Sequence, residues 1–349
     1  MEKVTDKKGP IISDTLKSIA IFMMMIALII IVFALIEDKF LTARNFKMML
    51  GHMSISALTA LGLTYVIILG HYDMSFYMVG CFAAMTTSYL NKTDIMMDSF
   101  MIGSIHSFVI PAVLAGIAVG CAWGLISGIA VGLFKMNDMV TTIGVGFIAF
   151  GTAYLYSKGS FIYDNFLTSG ITEINNADWF YVPFPIILMI GLYLISYLIL
   201  SRSKFGRNFY AAGSNRIAAI FSGVRVVPYI IIAFVICSGL TSLAAIMTTS
   251  AQGVGNVKAS INFLMPAYAA VYIGLSVFKK ATVIGTFFGA LFTSVMLNGF
   301  TLMAMPFYLS DLIIAVSLII AIILSKIDWT SIQKKNPIPD SGSEIVYEK

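Results

Sequence analysis

Two acidic residues in apolar surroundings are the first candidates for chemistry in this sequence. Asp311 stands inside the apolar run 306–318, and a charged group at membrane depth usually marks a pathway for a solute or an ion. It also lies only about one and a half helical turns after Pro306, so it could instead reach water at the outer membrane surface. Asp73 follows Gly70 after two residues, where a carboxylate can cap the backbone amides of the next helix. We interpret Asp73 as a cap and keep both readings for Asp311.

Side chains that usually act as nucleophiles or metal ligands do not cluster. The cysteines lie in apolar runs without CxxC spacing, which is typical of packing residues, and the histidines are scattered. These residues are Cys81, Cys121, Cys237, His52, His71 and His106. The sequence contains no Ser/His/Asp set, no HExxH and no G-x-x-x-x-G-K-[ST] phosphate-binding loop. It therefore predicts no catalytic residue, no metal site and no cofactor in this chain.

The composition indicates a membrane protein. Charged residues make up 11% of the chain, apolar residues 59%, and the mean hydropathy is +0.92. A soluble domain carries about 25% charged residues, so this chain has too little polar surface for a water-soluble globule. Its net charge of +5 comes from connecting segments rather than from a basic face. We therefore expect a lipid bilayer as the surroundings and no nucleic-acid partner.

Apolar segments of about 20 residues, the length that crosses a bilayer, predict an all-α polytopic protein with about ten transmembrane helices. The predicted spans are 19–36, 51–69, 74–90, 108–133, 139–156, 184–200, 226–248, 263–278, 281–300 and 307–325. The connection at Gly70–Met74 is so short that the third span is either complete or broken and re-entrant.

The distribution of basic residues predicts the orientation of these spans. If the N-terminus is cytoplasmic, 16 Lys and Arg residues lie in inner segments and 6 in outer segments, as the positive-inside rule requires. This predicts an N-in/C-in protein with a transmembrane domain at 19–325 and cytoplasmic tails at 1–18 and 326–349. Two long connections remain, an outer loop at 157–182 and an inner loop at 201–225.

Loop 201–225 carries the signals of a short helix. Ser214 or Asn215 can cap a helix that begins near Arg216, and Gly223 can end it in the left-handed conformation. Its apolar patch would consist of Ile217, Ala218, Ile220 and Phe221. Such a patch lies on the membrane interface or docks into a partner. A solvated positive loop that only anchors topology is the alternative.

The fourth predicted span has a glycine at every fourth position. These residues are Gly116, Gly120, Gly124, Gly128 and Gly132. Because glycine has no side chain, such a ridge allows a second helix to approach closely in lipid. We predict that it serves helix packing rather than solute binding.

Taken in order, these segments resemble the permease subunits of ribose-type (CUT2-like) ABC importers, from about Asn45 to Ser325. The family's A-x-G-x-T-x-V-I and G-G-I-D-L-S runs are matched by 60–67 and 70–75. Its inner-loop pattern is matched between Phe205 and Val224 by F-G-R, Y-A, G-S-N, A-A and S-G-V, and a third match is 285–291 with Asn298-Gly299. The chain departs from the family at 273–280, which lacks most of the usual glycines, and at His71. These departures leave the solute open.

The resemblance implies a type II ABC importer-like permease in the bacterial cytoplasmic (inner) membrane, importing a monosaccharide or sugar-like solute. It implies three protein partners: a second permease chain, identical or different; a cytoplasmic P-loop ATPase that binds ATP and Mg; and an extracytoplasmic solute-binding protein. Loop 201–225 would then contact the ATPase. The residues assigned to this contact are Arg207, Gly213, Asn215, Arg216, Ile217, Ala218, Phe221 and Gly223.

Sugar handling favours aromatic faces and neutral hydrogen-bonding groups, which points to residues near the outer helix ends. The pathway candidates are Tyr154, Thr248, Gln252, Asn298, Tyr308 and the acid Asp311. Three alternatives stay open: a secondary (ion-gradient) transporter or channel, a membrane enzyme, and a receptor-like subunit that transports nothing. The first usually needs intramembrane ionisable residues, of which Asp311 is nearly alone, and the second lacks catalytic motifs.

Overall fold

The computed structural model describes residues 11–92, 101–102, 105–106, 108–166, 168–176, 178–179, 182–306, 309 and 312–319. The pathway candidates Tyr308 and Asp311 and the predicted C-terminal tail lie outside the described residues. The helices are α1 (Ile11–Ile36), α2 (Ala43–Ile68), α3 (Phe76–Lys92), α4 (Val109–Gly132), α5 (Asp138–Ser157), α6 (Glu173–Asn176), α7 (Phe184–Arg202), α8 (Lys204–Ser214), α9 (Arg216–Phe221), α10 (Val226–Gln252), α11 (Leu264–Phe278) and α12 (Val283–Leu302).

The described part of the chain is nearly all helical. Two antiparallel hairpins of two-residue strands interrupt it, β1 (Met101–Ile102) with β2 (Ile105–His106) and β3 (Asp178–Trp179) with β4 (Val182–Pro183). Within the described ranges, seven helices are long and apolar enough to cross a membrane: α2, α4, α5, α7, α10, α11 with its preceding 3-10 turn, and α12. Three further predicted spans overlap α1, α3 and the helical stretch 312–319. The number ten stays a prediction.

Helices α2 and α10 form the centre of the bundle. α2 packs against α7, α10, α11 and α12, whereas α10 also packs against α3 and α4. Leu58, Leu61 and Leu63 of α2 and Phe234 of α10 are fully buried. α1 lies outside on α12, where the Phe33 and Phe300 rings meet edge to face.

The bundle has two distinct ends. At one, named here the α8 end, Gly213 of α8 lies so close to α2 that an added Cβ would overlap the carbonyl oxygen of Ile68. At the other, the hairpin end, Asn45 near the start of α2 and Asn298 of α12 exchange two side-chain amide hydrogen bonds of 2.9 Å. The β3–β4 hairpin immediately precedes α7 at this second end.

α2 begins earlier than the sequence predicts. The predicted span starts at residue 51, whereas α2 starts at Ala43 because the Thr42 hydroxyl caps it and accepts a hydrogen bond of 3.3 Å from the Asn45 amide. The first two turns carry Arg44 and Lys47, which an apolar span leaves out. These turns give the hairpin end a basic surface.

The predicted outer loop 157–182 is folded against the helices beside it. Ile162 pairs with Gly255 in an antiparallel bridge, and Phe166 is fully buried. The Ser250 hydroxyl of α10 donates a hydrogen bond of 2.7 Å to the carbonyl of Ile171. This segment is therefore a shaped surface rather than an extended connection.

The glycine ridge of α4 lies in close contact with neighbouring helices. Gly120, Gly124, Gly128 and Gly132 face α10, and Gly116 faces α3. At Gly120 an added Cβ would overlap the Ser242 hydroxyl, and at Gly128 it would lie 2.8 Å from Cα of Ile231. A larger side chain at these positions would therefore force α4 away from α10.

Candidate functional site

Loop 201–225 folds into two short helices, of which the second has the predicted form. The Asn215 side chain caps α9 by accepting a hydrogen bond of 3.0 Å from the Ala218 amide. Gly223 follows α9 with a φ of +81°, the left-handed conformation that glycine adopts without strain. Ser214, the alternative cap, instead donates its hydroxyl to the Tyr210 carbonyl at 2.8 Å.

The first helix of this loop, α8, was missed by the sequence analysis. Its signals are present: the Ser203 hydroxyl caps it, accepting a hydrogen bond of 3.1 Å from the Gly206 amide. Phe205, Phe209 and Ala212 then recur at the spacing of one helical face. Phe209 and Ala212 are buried by that face.

An apolar patch on α9 is exposed. Ile217 is 68% exposed and Phe221 88% exposed, and Ile220 is exposed beside them. Ala219 on the opposite side is buried. One side of α9 therefore packs against the rest of the chain, and the other side is exposed. Arg207, Arg216 and Ala218 are also exposed. Apolar side chains presented together on one side of a capped helix are typical of a docking surface.

α8 joins this exposed patch to the helix bundle. Phe209 packs edge to face on Tyr65 of α2, with ring centroids 5.7 Å apart. The Asn208 side chain donates a hydrogen bond of 3.1 Å to the Tyr229 hydroxyl of α10. Together with the contact between Gly213 and Ile68, these interactions tie α8 to the last turn of α2 and to the start of α10.

The chain leaves α2 through a non-helical stretch, Gly70–Ser75, named here the unwound segment. Gly70 has a φ of +77°, which breaks the helix. Asp138 at the start of α5 accepts a hydrogen bond of 2.9 Å from the Tyr72 amide, and Thr142 one turn later accepts one of 2.9 Å from the Met74 amide. The segment therefore runs alongside the first turns of α5.

Two acidic side chains stabilise this segment. Asp73 is fully buried, and its Oδ1 accepts hydrogen bonds from the Ser75 amide at 2.7 Å and from the Ser75 hydroxyl at 2.6 Å. Asp73 thus stabilises the turn that leads into α3, and its role as the cap of that helix stays a prediction. Nδ1 of His71 lies 3.4 Å from Oδ2 of Asp138. Burial lowers the pKa of His71 from its ordinary 6.5, although Asp138 opposes the shift, so this side chain is neutral at pH 7.

A cavity of about 490 Å³ opens beside the unwound segment and is named here the tyrosine cavity. Its walls come from the end of α2, the unwound segment, the start of α5, α11 and the stretch 312–319. The lining residues are Ile67, Gly70, His71, Tyr72, Met74, Met139, Leu264, Met265, Tyr268, Tyr272, Leu275 and Leu318. The sequence analysis missed this cavity because its walls come from positions far apart in the chain.

A second cavity, of about 350 Å³, lies at the hairpin end and is named here the basic cavity. One face of the first turns of α2 lines it, together with α10 and the chain around the hairpin. The lining residues are Arg44, Lys47, Met48, Gly51, His52, Ile55, Asn175, Pro183, Pro185 and Ala251. Its cationic and titratable side chains all come from α2.

The four described pathway candidates do not form one site. Tyr154 is partly exposed and packs on Phe150, and the Thr248 hydroxyl donates to the carbonyl of Ala244 in its own helix. Gln252 is exposed at the end of α10. Asn298 is occupied by Asn45, as described above. None of the four lines either cavity.

The described residues contain no group of three or more His, Cys, Asp or Glu side chains that could hold a metal ion. Cys81, Cys121 and Cys237 are free thiols. Cys81 lies beside Ser260, whose hydroxyl is 3.3 Å from its sulfur. The cysteines thus occur as separate packing residues.

Comparisons with known proteins agree with this architecture. A family model described as "Branched-chain amino acid transport system / permease component" matches residues 45–322. Ribose import permease protein RbsC of Escherichia coli strain K12 is 28% identical over 319 residues, 88% of this chain and 92% of the relative. The D-allose transport system permease protein AlsC of the same strain is 25% identical over 305 residues, 86% of this chain and 90% of the relative.

A third relative is the L-arabinose transport system permease protein AraH of Escherichia coli strain K12, 29% identical over 249 residues, 71% of each chain. No solved structure matches significantly. The resemblance to ribose-type permeases inferred from loop 201–225 is confirmed by these matches. The chain therefore belongs to this family of ABC transport permeases, which are membrane subunits rather than enzymes.

Proposed function

We propose that this chain is the transmembrane subunit of an ATP-dependent importer for a monosaccharide or sugar-like solute. The relatives described above are named for ribose, D-allose and L-arabinose, which supports a neutral monosaccharide as the solute class. The chain would work with a second permease chain, an extracytoplasmic solute-binding protein and a P-loop ATPase that binds ATP and Mg. It would reside in the bacterial cytoplasmic membrane with about ten spans.

The observation that carries this proposal is the exposed patch on α9. Ile217 and Phe221 are neighbouring exposed apolar side chains, as in a docking surface, and α9 is held in place by its buried Ala219 and its Asn215 cap. The adjoining α8 contacts the last turn of α2 through Gly213. A partner that moves this loop would therefore act directly on the helix that leads into the unwound segment.

The charge of the α8 end supports a cytoplasmic location for it. Eight basic residues lie in the described connections at that end: Lys135, Arg202, Lys204, Arg207, Arg216, Arg225, Lys279 and Lys280. In the described segments between α2 and α12 at this end, the acids are the buried Asp73 and the partly exposed Asp138. Cytoplasmic connections are rich in Lys and Arg, which supports the proposed N-in/C-in orientation with the ATPase on the side of α9.

The proposed cycle begins when a loaded binding protein docks on the hairpin end, including loop 157–182. The solute enters between two permease chains, and ATP-driven movement of loop 201–225 switches access from outside to inside. The pathway candidates Tyr154, Thr248, Gln252, Asn298, Tyr308 and Asp311 remain proposals. Of these, Asn298 fits a structural role better because its amide pairs with Asn45.

Co-purification tests the proposal. The chain is solubilised gently from native membranes, and a P-loop ATPase is expected to accompany it. Ile217→Asp with Phe221→Asp should abolish this association, since charged groups in an apolar docking surface lose their hydration without a counter-charge. Phe161→Asp at the hairpin end is the matched control and should leave ATPase capture unchanged. A chain that purifies alone and still moves solute without ATP would contradict the proposal.

A further inference from the structure

The tyrosine cavity has the features of a ligand site that the pathway candidates lack. Its volume of about 490 Å³ falls within the range of about 300–1,000 Å³ that small-molecule sites occupy. Its lining is largely apolar, with a few polar groups that converge on it. Tyr72 comes from the unwound segment, and Tyr268 and Tyr272 come from successive turns of α11.

We propose that this cavity is the binding site for the solute on its way to the cytoplasm, and that it takes an uncharged monosaccharide ring. The inference rests on the proposed function and names the site and the chemical class that the transporter accepts. The ring atoms of Tyr268 and Tyr272 that reach the cavity wall, in residues only 6% and 8% exposed, would contact the apolar C–H side of the sugar, and the half-buried Tyr72 would bind its hydroxyl groups.

The rings on α11 form a fixed aromatic wall. Tyr268 and Tyr272 are nearly parallel, with an interplanar angle of 17° and centroids 6.3 Å apart. The Tyr268 hydroxyl donates a hydrogen bond of 2.8 Å to the carbonyl of Asp73, which holds the ring in place. Rings that are already held in place lose little conformational entropy when a ligand binds against them.

The cavity retains an O–H group for a ligand. The Tyr72 and Tyr272 hydroxyls lie 3.2 Å apart and share one hydrogen bond. One such bond uses only one of the two hydroxyl protons, so the pair can still donate one O–H and accept further bonds. A sugar hydroxyl, which both donates and accepts, matches this combination.

The charge of the lining selects against charged solutes. Among the described residues, the lining contains no Asp, Glu, Lys or Arg, and its imidazole, His71, is paired with Asp138. A sugar acid or sugar phosphate would lose its hydration in this cavity without gaining a counter-charge, which is costly. A neutral monosaccharide needs no counter-charge.

The site also lies where loop 201–225 can act on it. Gly70, Tyr72 and Met74 of the unwound segment form part of its wall, and this segment follows Ile68 directly. Ile68 is the residue that Gly213 of α8 contacts. A shift of α8 would therefore reach the cavity wall within a few residues. The methionines at the rim, Met139 and Met265, can repack around a ligand because their side chains are flexible.

Reconstituted transport tests the inference. The complete transporter with its binding protein is assayed in proteoliposomes with radiolabelled D-ribose, D-allose and L-arabinose, and with D-glucuronate and ribose 5-phosphate as charged probes. Wild type should take up a neutral sugar and reject both charged probes. Tyr272→Ala should raise the KM for the transported sugar about tenfold. Tyr197→Ala on α7, outside the cavity, is the matched control.

A second measurement covers the case in which Tyr272→Ala does not fold. Met265 is 48% exposed at the cavity rim, so Met265→Cys should react with a thiol reagent and be protected by the transported sugar. Phe161→Cys in loop 157–182, at a position that is 52% exposed, should react without protection. Unchanged KM in Tyr272→Ala, absent protection at Met265→Cys, or uptake of a charged probe would overturn the inference. No ATP-dependent uptake of any probe by wild type would instead count against the proposed function.

Discussion

The two cavities of this protein lie at opposite ends of one helix and have opposite chemistry. The basic cavity is lined by Arg44, Lys47 and His52 from the first turns of α2. The tyrosine cavity begins at Ile67, near the end of the same helix, and the described residues that line it include three tyrosines but no Lys or Arg. We propose that the two cavities have different roles: the basic cavity would bind a charged surface of the binding protein, and the tyrosine cavity would bind the neutral solute.

Both cavities need a correctly packed helix bundle, so the largest effect is expected from a substitution that disrupts the contact between α4 and α10. Gly120→Val would place a branched side chain against Ser242 in the α4–α10 contact. Overpacking of a buried site costs about 1–3 kcal/mol or more, so we expect little folded protein. Gly191→Val on α7, where an added Cβ meets nothing within 4 Å, should fold normally. Yields of monodisperse protein in detergent check this, and normal yield of Gly120→Val would contradict it.

The next largest effect is expected at the tyrosine cavity, from Asp138→Ala. This change leaves the Tyr72 amide without its acceptor, and an unsatisfied buried polar group costs about 1–3 kcal/mol. The unwound segment should then lose its position beside α5, and the rate of uptake should fall about tenfold. Asp38→Ala, an exposed acid after α1, is the matched carboxylate control. Equal uptake by the two variants would show that the segment needs no anchor.

A smaller and different effect is expected at the basic cavity. Arg44→Glu reverses one charge there, so the binding-protein concentration for half-maximal ATPase stimulation should rise about two- to fivefold. The effect should shrink at high salt, because exposed charges are screened. Sugar protection of Met265→Cys should not change. A loss of that protection in Arg44→Glu would contradict the proposal that the two cavities bind different partners independently.

The smallest effect concerns the protonation of His71. Burial lowers its pKa below 6.5 against the opposing influence of Asp138, and Arg216 lowers it further. Its contribution to stability is therefore present above pH 6.5 and is lost as the pH falls toward the lowered pKa. Thermal stability of wild type should fall below pH 6.5 more than that of His71→Gln, and the two should respond alike between pH 7 and 8. Identical acid sensitivity would contradict this assignment.

Local signals in the sequence predicted local structure well. Asn215 and Gly223 predicted the start and end of α9, because caps and left-handed glycines act on the residues beside them. The glycine spacing predicted the close approach of α4 to another helix, although not that α10 would be its main neighbour. α8 was missed even though Ser203 and Phe209 carry its signals, because they were interpreted as part of a polar loop.

Non-local features could not be predicted from the sequence. The tyrosine cavity brings Tyr72 next to Tyr272, 200 positions away in the chain, and no spacing rule connects them. The polar start of α2 was missed because an apolar criterion leaves out Arg44 and Lys47. Asn298 was assigned to the pathway from its residue type alone, whereas its amide pairs with Asn45 across two helices.

Uptake into proteoliposomes tests directly whether this chain belongs to an ATP-driven sugar importer. The chain is reconstituted with its co-purifying ATPase and binding protein, and uptake of labelled monosaccharide is measured with ATP supplied on the ATPase side and all ion gradients collapsed. We expect uptake that requires ATP and the binding protein, and we expect the combined substitutions Ile217→Asp and Phe221→Asp to abolish it. Uptake by the chain alone, driven by an ion gradient and indifferent to ATP, would contradict it.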